Sequence, residues 1–461
     1  MKFNVNNFSI QDAFFTSTPT IRWHHFDKVD ETVATFDNLK KIISNEKKLY
    51  VTIYGRDILA ANIARFEKID KIVPDEEDEV TIIGNVPILY EKSVFDIPHL
   101  HSLDINDVGL EEIKPGAFGN LPLLKSLGLS NNNLTEIKTD TFVDLNVSYI
   151  DLGFNSIILL QPGAFKNLNC DILLLNENKL TEFPKDVFKN VTLRSLDLAH
   201  NLLHTIAPKA LSTIALRGLI LYGNKLDEID PEVYDIQELK FLSLNVNLVK
   251  LLRPGDLRNL PELEGLSLQK NELKEIPEGV FNNTKLIYLN LNQNKITQIA
   301  SKAFDDMSAL SRLSIQDNNL TQWDNNWLKG AKSLADIVVS YNQITEIPDQ
   351  AFKNYPSVEI ISFQGNKIRN IAAKAFDKLE HVISLNLAFN EIDNWNPDLV
   401  VNVYIGTLDL TGNKLQCVEG DLETVFGKVV DIHLRDNPWN QGCVTKIDKF
   451  IKNHPPYLDF E

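Results

Sequence analysis

Cysteine is almost absent: the 461 residues contain three, Cys170, Cys417 and Cys443. That excludes a disulfide scaffold, since at most one bridge can form with one thiol left over. Long apolar runs are also missing. The longest are a handful of residues, well short of the roughly 20 that a transmembrane helix needs, so no membrane span is expected. The start, MKFNVNNFSIQDAFF, lacks the apolar stretch of a signal peptide; for a secreted protein the sequence is expected to be a mature or truncated form. Basic residues are in deficit, 46 Lys and Arg against 63 Asp and Glu, for a formal charge of −17. Nucleic-acid binders neutralise phosphate with basic patches, so no nucleic-acid partner is expected, and the balance suits a basic one. Catalytic signatures are lacking as well. The nine histidines form no H-E-x-x-H, and G-x-S-x-G, P-loop and C-x-x-C motifs do not occur. Neither enzymatic activity nor a cofactor or metal is expected; the adjacent pair His24 and His25 is read as part of a terminal cap.

What is present is a repeat. The pattern L-x-L-x-x-N-x-L recurs as LGLSNNNL (127–134), LDLAHNLL (196–203), LSLQKNEL (266–273) and LDLTGNKL (408–415). Its asparagines run from Asn132 through Asn271 to Asn437 in steps of 23 or 24 residues, and the register extends back through Val108 to Asn85, making 16 coils. Three and five residues before each Asn stand apolar residues such as Leu127 and Leu129. That alternation is a strand with one face inward. Ten residues after the Asn comes a second anchor, often Phe: Phe95, Phe118, Phe142, Phe165, Phe188, Phe281, Phe304, Phe352 and Phe376. It plugs the back of the coil. One coil cannot bury both faces alone, so coils stack into a continuous core. The Asn amide carries donors and acceptors, which suits it to the backbone groups left without partners where the chain turns off the strand. Strands packed more tightly than the back imply a curved array with a concave parallel sheet, the back being short turns or partial helices.

The ends differ. Residues 1–75 carry no repeat and are read as an N-terminal cap, in which 31–43 has helical spacing, LYVTIYG (49–55) alternates as a strand, and DILAANIARF (57–66) reads as a helix capped by Asp57. The acidic run at 75–79 is read as a solvated turn. The array is assigned to 76–437 and a C-terminal cap to 438–461, where Trp439 takes a Leu or Ile position and VTKIDKFI forms a helix stopped by Pro455 and Pro456.

The repeat, with Phe at its back, resembles the extracellular animal class of leucine-rich repeats over about residues 80–450. The stretch at 80–121 and the N-P-W cap resemble secreted insect proteins, notably the mosquito leucine-rich immune proteins, and Toll-receptor ectodomains share the repeat. The resemblance implies a leucine-rich-repeat solenoid of the α/β class, a curved horseshoe with N- and C-terminal caps, and a secreted extracellular recognition protein of innate immunity. The chain departs from the pattern in its caps. Gln441 stands near the first expected cap cysteine, Cys443 alone remains after the N-P-W motif, and the coiled-coil tail of some mosquito relatives is missing. The alternatives are an adhesion or matrix protein, a receptor ectodomain, and thirdly an intracellular scaffold, which low cysteine favours.

Outward strand positions lie two, four and six residues before each Asn. Many are small or polar, but Tyr149, Leu174, Ile220, Tyr222, Phe241 and Tyr288 are large. Leu174, Ile220 and Phe241 are expected to form a near-continuous strip for a protein or glycan ligand. Cys417 lies four residues after Asn413 and Cys443 six after Asn437, nearly one angular position on adjacent coils, so the two are expected to pair outside the cell. Cys170 takes a position that other coils give to Leu124 and Leu193, and is expected to be buried and inert. Sequons at Asn7, Asn133, Asn146, Asn190, Asn282 and Asn319 sit beside the inward Asn column and are candidate glycosylation sites. Oligomeric state is not legible.

Overall fold

The structure is a computed structural model that describes residues 48–53, 56–62, 79–355, 357–453 and 458–459. These fall into two compact units. The first runs to residue 226 and includes 232–243; the second comprises 227–231 and the chain from 244 onwards. In each, the repeat closes into a parallel-sheet solenoid.

The first unit contains β1 (Lys48–Ile53), β2 (Arg56–Asn62), β3 (Glu79–Ile83), β4 (Ser102–Asp104), β5 (Ser126–Gly128), β6 (Asn146–Asp151), β7 (Asn169–Leu174), β8 (Thr192–Asp197), β9 (Gly218–Ile220) and β10 (Phe241–Ser243). From β3 to β10 each strand pairs in parallel with the next, one coil on. Inward Leu103, Leu127, Ile150, Leu173, Leu196, Leu219 and Leu242 stack in one buried column. Phe118, Phe142, Phe165 and Phe188 stack along the back, with ring centroids 5.7, 5.1 and 5.5 Å apart. The repeat period sets both columns, because a 23–24-residue step returns the same side chain to the same face.

The sheet begins differently from expectation. Residues 56–62 are a strand, not the start of a helix, and β2 pairs antiparallel with β1. In turn β1 pairs antiparallel with β3, at Tyr50↔Ile83, Val51↔Ile82 and Thr52↔Thr81. The run Ile58–Ala61 is too short for periodicity to separate strand from helix. The open edge of β1 decides it: β1 covers β3, and β2 satisfies the backbone groups on the other side of β1 that a helix would leave open. The expected helix over 31–43, His24–His25, most of the 75–79 run and Asn7 lie outside the described residues.

The second unit contains β11 (Gly265–Ser267), β12 (Tyr288–Asn290), β13 (Arg312–Ser314), β14 (Asp336–Val338), β15 (Ile360–Ser362), β16 (His381–Asn386), β17 (Tyr404–Asp409) and β18 (Val429–His433), again parallel in sequence. Among the described residues of both units, helix is confined to a 3-10 turn at Pro397–Leu399, to α1 (Leu422–Phe426) and to α2 (Gln441–Asn453). The backs of the coils are turns and two-residue bridges rather than partial helices. Asp421 caps α1, its carboxylate accepting from the Thr424 N–H at 3.1 Å. In α2 the buried Cys443, Ile447 and Phe450 lie on one face, so the helix covers the last coil with an amphipathic stripe. That helix is longer than the VTKIDKFI segment expected of it, and β19 (Leu458–Asp459) then pairs in parallel with β18.

The asparagine column does the same job in coil after coil. Nδ2 of Asn271 donates to the carbonyls of Leu244, Leu268 and Gln269 at 2.9, 3.0 and 3.4 Å, and its Oδ1 accepts from the Val249 N–H at 2.9 Å. Asn132 and Asn155 repeat the arrangement in the first unit. The residue before the Asn sits in the left-handed region even where it is bulky, with φ of 52° at Phe154 and Tyr341, 53° at Val246 and 55° at Phe389. Such a turn is unfavourable for large side chains, and the amide network holds it. Asn271→Ala is therefore expected to lower stability by about 1–3 kcal/mol, through buried carbonyls and an N–H left unsatisfied. Denaturant unfolding checks this; an unchanged midpoint would contradict it.

Candidate functional site

The outward strand residues form columns across each sheet. In the first unit, the column six residues before the Asn reads Ser126, Tyr149, Ile172, Ser195, Gly218 and Phe241. The column four before it reads Asp104, Gly128, Asp151, Leu174, Asp197, Ile220 and Ser243. Tyr222 lies two before Asn224, with its ring edge-on to His200 at 4.6 Å. Tyr149, Leu174, Ile220, Tyr222 and Phe241 are all half-buried on this face.

Their arrangement is not a single strip. Leu174 and Ile220 share a column but are separated by Asp197, and Phe241 stands in the neighbouring column. The physical reason is the pleat: residues four and six before the Asn project on the same face but in different rows. Ile172, half-buried beside Tyr149, belongs to the same surface and was missed, although its position six before Asn178 marks it. Tyr288 lies in the second unit. There the Arg312 guanidinium sits 5.4 Å from its ring centroid and also pairs with Asp336 at 2.9 Å, so Tyr288 is already partly covered.

The acidic members carry the electrostatics. The carboxylates of Asp104, Asp151 and Asp197 accept the N–H two residues on, from Asn106 at 2.9 Å, Gly153 at 2.9 Å and Ala199 at 2.8 Å. Tyr149 donates its hydroxyl to Asp151 at 3.1 Å. Burial pushes all three carboxyls above their usual range, and Asp151 adds repulsion to both others; Asp197 is pushed up to about 6, with Glu177 contributing. The carboxyl of Asp197 thus holds its proton more tightly folded than unfolded, where 3.8 applies. Stability is lost as pH rises through the window from about 4 to 6 and regained on acidification. Asp197→Asn keeps the turn acceptor and removes the charge. It is expected to raise stability at pH 7 by about 1–2 kcal/mol and to flatten that pH dependence. Thermal melts of both proteins at pH 7 and 5 test this; a variant less stable at pH 7 contradicts it.

The remaining candidates are placed as follows. Cys417 and Cys443 are joined as a disulfide, Cα atoms 5.2 Å apart. Cys170 is free and buried between Val147 and Leu193 on the flanking strands. Burial pushes its thiol up to about 12, so it is no nucleophile at neutral pH. Among the sequons, Asn133, Asn146, Asn190 and Asn282 are exposed and Asn319 is half-buried. Asn190 differs from the others in that its Nδ2, the atom a glycan would take, donates to Asn167 at 2.9 Å. Among the described residues no His, Cys, Asp and Glu cluster fits a metal ion, and no helix is long and apolar enough to cross a membrane.

Comparison with known proteins agrees with this geometry. Residues 98–157 and 169–226 match the leucine-rich-repeat model, and 257–394 match the BspA-type leucine-rich-repeat region in six copies. The human leucine-rich repeats and immunoglobulin-like domains protein 2 is 38% identical over 66 residues, which is 14% of this chain and 6% of the relative; the mouse counterpart is 35% identical over 78 residues, 17% and 7% respectively. The matched stretches thus span under a tenth of those relatives. Among solved structures, a leucine-rich-repeat protein of Leptospira interrogans superposes with a TM-score of 0.60 at 22% identity, covering 79% of this chain and 96% of that one. A chain of the glycosylated Toll–Spatzle complex, described as a hub in Drosophila development and innate immunity, superposes with a TM-score of 0.66 at 18% identity, covering 87% and 60%. These likenesses establish the fold, a leucine-rich-repeat solenoid.

Proposed function

We propose that this leucine-rich-repeat solenoid is a non-enzymatic, secreted recognition protein that binds a protein partner across the sheet face of its first unit, in an innate-immune setting. The observation that carries the reading is the set Tyr149, Ile172, Leu174, Ile220, Tyr222 and Phe241, all half-buried on one face. Nothing in the repeat requires bulk there, since equivalent positions hold Gly128, Ser267 or Ser314. Large apolar side chains on a face that tolerates small ones are the residues that dominate interface energetics. The likeness to a chain of the Toll–Spatzle complex supports a protein ligand and the immune setting. N-glycans on the sequons outside the sheet face belong to the same reading, with Asn190 the least available; glycopeptide masses from secreted protein test that assignment.

The experiment is affinity capture from native extracellular fluid, followed by mass spectrometry, with the 461-residue chain and a Tyr222→Ala/Phe241→Ala variant run side by side. A partner held by the first and lost by the second supports the reading; a partner held equally by both removes this face from the binding site. The match to a protein with immunoglobulin-like domains favours a second reading, an adhesion molecule or receptor ectodomain. A transcript encoding a downstream apolar stretch of about 20 residues would select it.

A further inference from the structure

We propose that the sheet face of the first unit docks an extended cationic segment of its protein partner, laid across the strands, with basic side chains at every third residue meeting Asp104, Asp151 and Asp197. The inference rests on the reading of this face as the partner site and adds the partner's chemistry and spacing.

The first argument is that the charge exceeds the structural need. In several coils a side-chain oxygen four residues before the repeat Asn accepts the N–H two residues on. In the second unit Asn290 does this for Asn292 at 3.0 Å and Asn386 for Ala388 at 3.0 Å, while Asp409 does it with a carboxylate for Thr411 at 3.0 Å. A neutral amide therefore suffices for the turn. In the first unit the same position holds three carboxylates in alternate coils, where burial opposes their ionisation and Asp151 repels the other two. Among the described residues, no basic group offsets this for any of the three. Two neighbouring basic side chains are engaged elsewhere. Arg194 on β8 pairs with Asp171 on β7 at 3.0 Å, and His200, beyond β8, has Glu177 at 3.9 Å and the Tyr222 ring against it. A cationic ligand would supply what the fold withholds, and charge-assisted pairs are the strong ones once desolvated.

The second argument is geometric. Adjacent strands lie about 4.8 Å apart, so carboxylates in alternate coils repeat at about 9.6 Å. An extended polyproline-type chain rises about 3.1 Å per residue, or about 9.3 Å every third residue. Basic side chains at that interval fall on Asp104, Asp151 and Asp197 in turn. The residues between them fall over Gly128 and Leu174, with Ile220 beyond Asp197. Tyr149 and Ile172 flank this row on one side and Tyr222 on the other, giving the apolar walls that exclude water from the charge pairs.

The test uses the 461-residue chain and two fluorescent peptides of identical composition, one with Lys at every third position and one with the lysines adjacent, read by anisotropy at low salt, where screening is weak. The spaced peptide should bind about fivefold tighter than its isomer at pH 7. The preference should vanish in Asp151→Asn/Asp197→Asn, which keeps the turn acceptors, and shrink at pH 5 as Asp197 takes up its proton. Equal binding of the two peptides, no binding of either, or a preference that survives the double variant overturns the proposal. The captured native partner separates this from the broader reading. Full capture by the Asp variant with loss in Tyr222→Ala/Phe241→Ala leaves the docking face standing and removes the charge; full capture by both variants removes both.

Discussion

Gly330→Ala should be the most damaging small substitution considered, lowering stability by about 3–5 kcal/mol, beyond the usual 1–3 kcal/mol of overpacking. A Cβ built on Gly330 would stand 1.5 Å from the Asp305 carbonyl oxygen, 2.2 Å from its carbon and 2.7 Å from its Cα. All three are backbone atoms of the preceding coil, so no rotamer change relieves the clash. Coil spacing is fixed on the strand side by the pairing of β12 with β13 and on the back by buried Phe304 and Leu328. The methyl must therefore prise stacked coils apart, which opens a dense core. Gly442→Ala is the control. It lies in α2 with its nearest foreign atom, Asn440 Oδ1, at 3.5 Å, and Ala favours a helix over Gly, so stability should hold or rise slightly. Parallel denaturant titrations decide it; a Gly330→Ala protein as stable as the Gly442→Ala one would show that the coils are not packed at this distance.

Much of this was legible in the sequence because a solenoid writes its geometry as a period. The spacing from Asn132 to Asn437 located every inward strand residue, and the ten-residue offset located the Phe stack. The chemistry of an amide next to stranded backbone groups gave the Asn ladder its role. The hairpin at 48–62 was not legible in full, because Ile58–Ala61 satisfies either period and the choice lies in its pairing with β1, which in turn pairs with β3. The sheet face was half legible. Offsets of four and six already separate Leu174 from Phe241 and set Asp197 between Leu174 and Ile220, as the strand pairing has it, but they do not give how far each side chain is covered. The three acids read as ordinary surface charge in an acidic chain. Their burial depends on neighbouring coils and therefore emerges only from the fold.

The second large effect is on binding. Tyr222→Ala/Phe241→Ala should weaken partner binding at least tenfold while leaving the fold intact. Both side chains project from the sheet face rather than into the column of Leu219 and Leu242, and both are half-buried. Their removal opens no core cavity, so stability should fall by well under the 3–5 kcal/mol of a buried aromatic. A desolvated aromatic anchor at an interface contributes about 2 kcal/mol or more, and two of them comfortably exceed the roughly 1.4 kcal/mol that a tenfold change requires. Tyr222 also leans on His200, so its loss frees a neighbouring ring as well as removing its own contact.

The most direct measurement is the dissociation constant of the captured partner for the unaltered chain and for Tyr222→Ala/Phe241→Ala, each first shown by thermal melt to be folded. The account predicts matching melts within a few degrees and a dissociation constant raised at least tenfold. Matching melts with an unchanged dissociation constant would contradict it, and would place recognition on another surface of the chain.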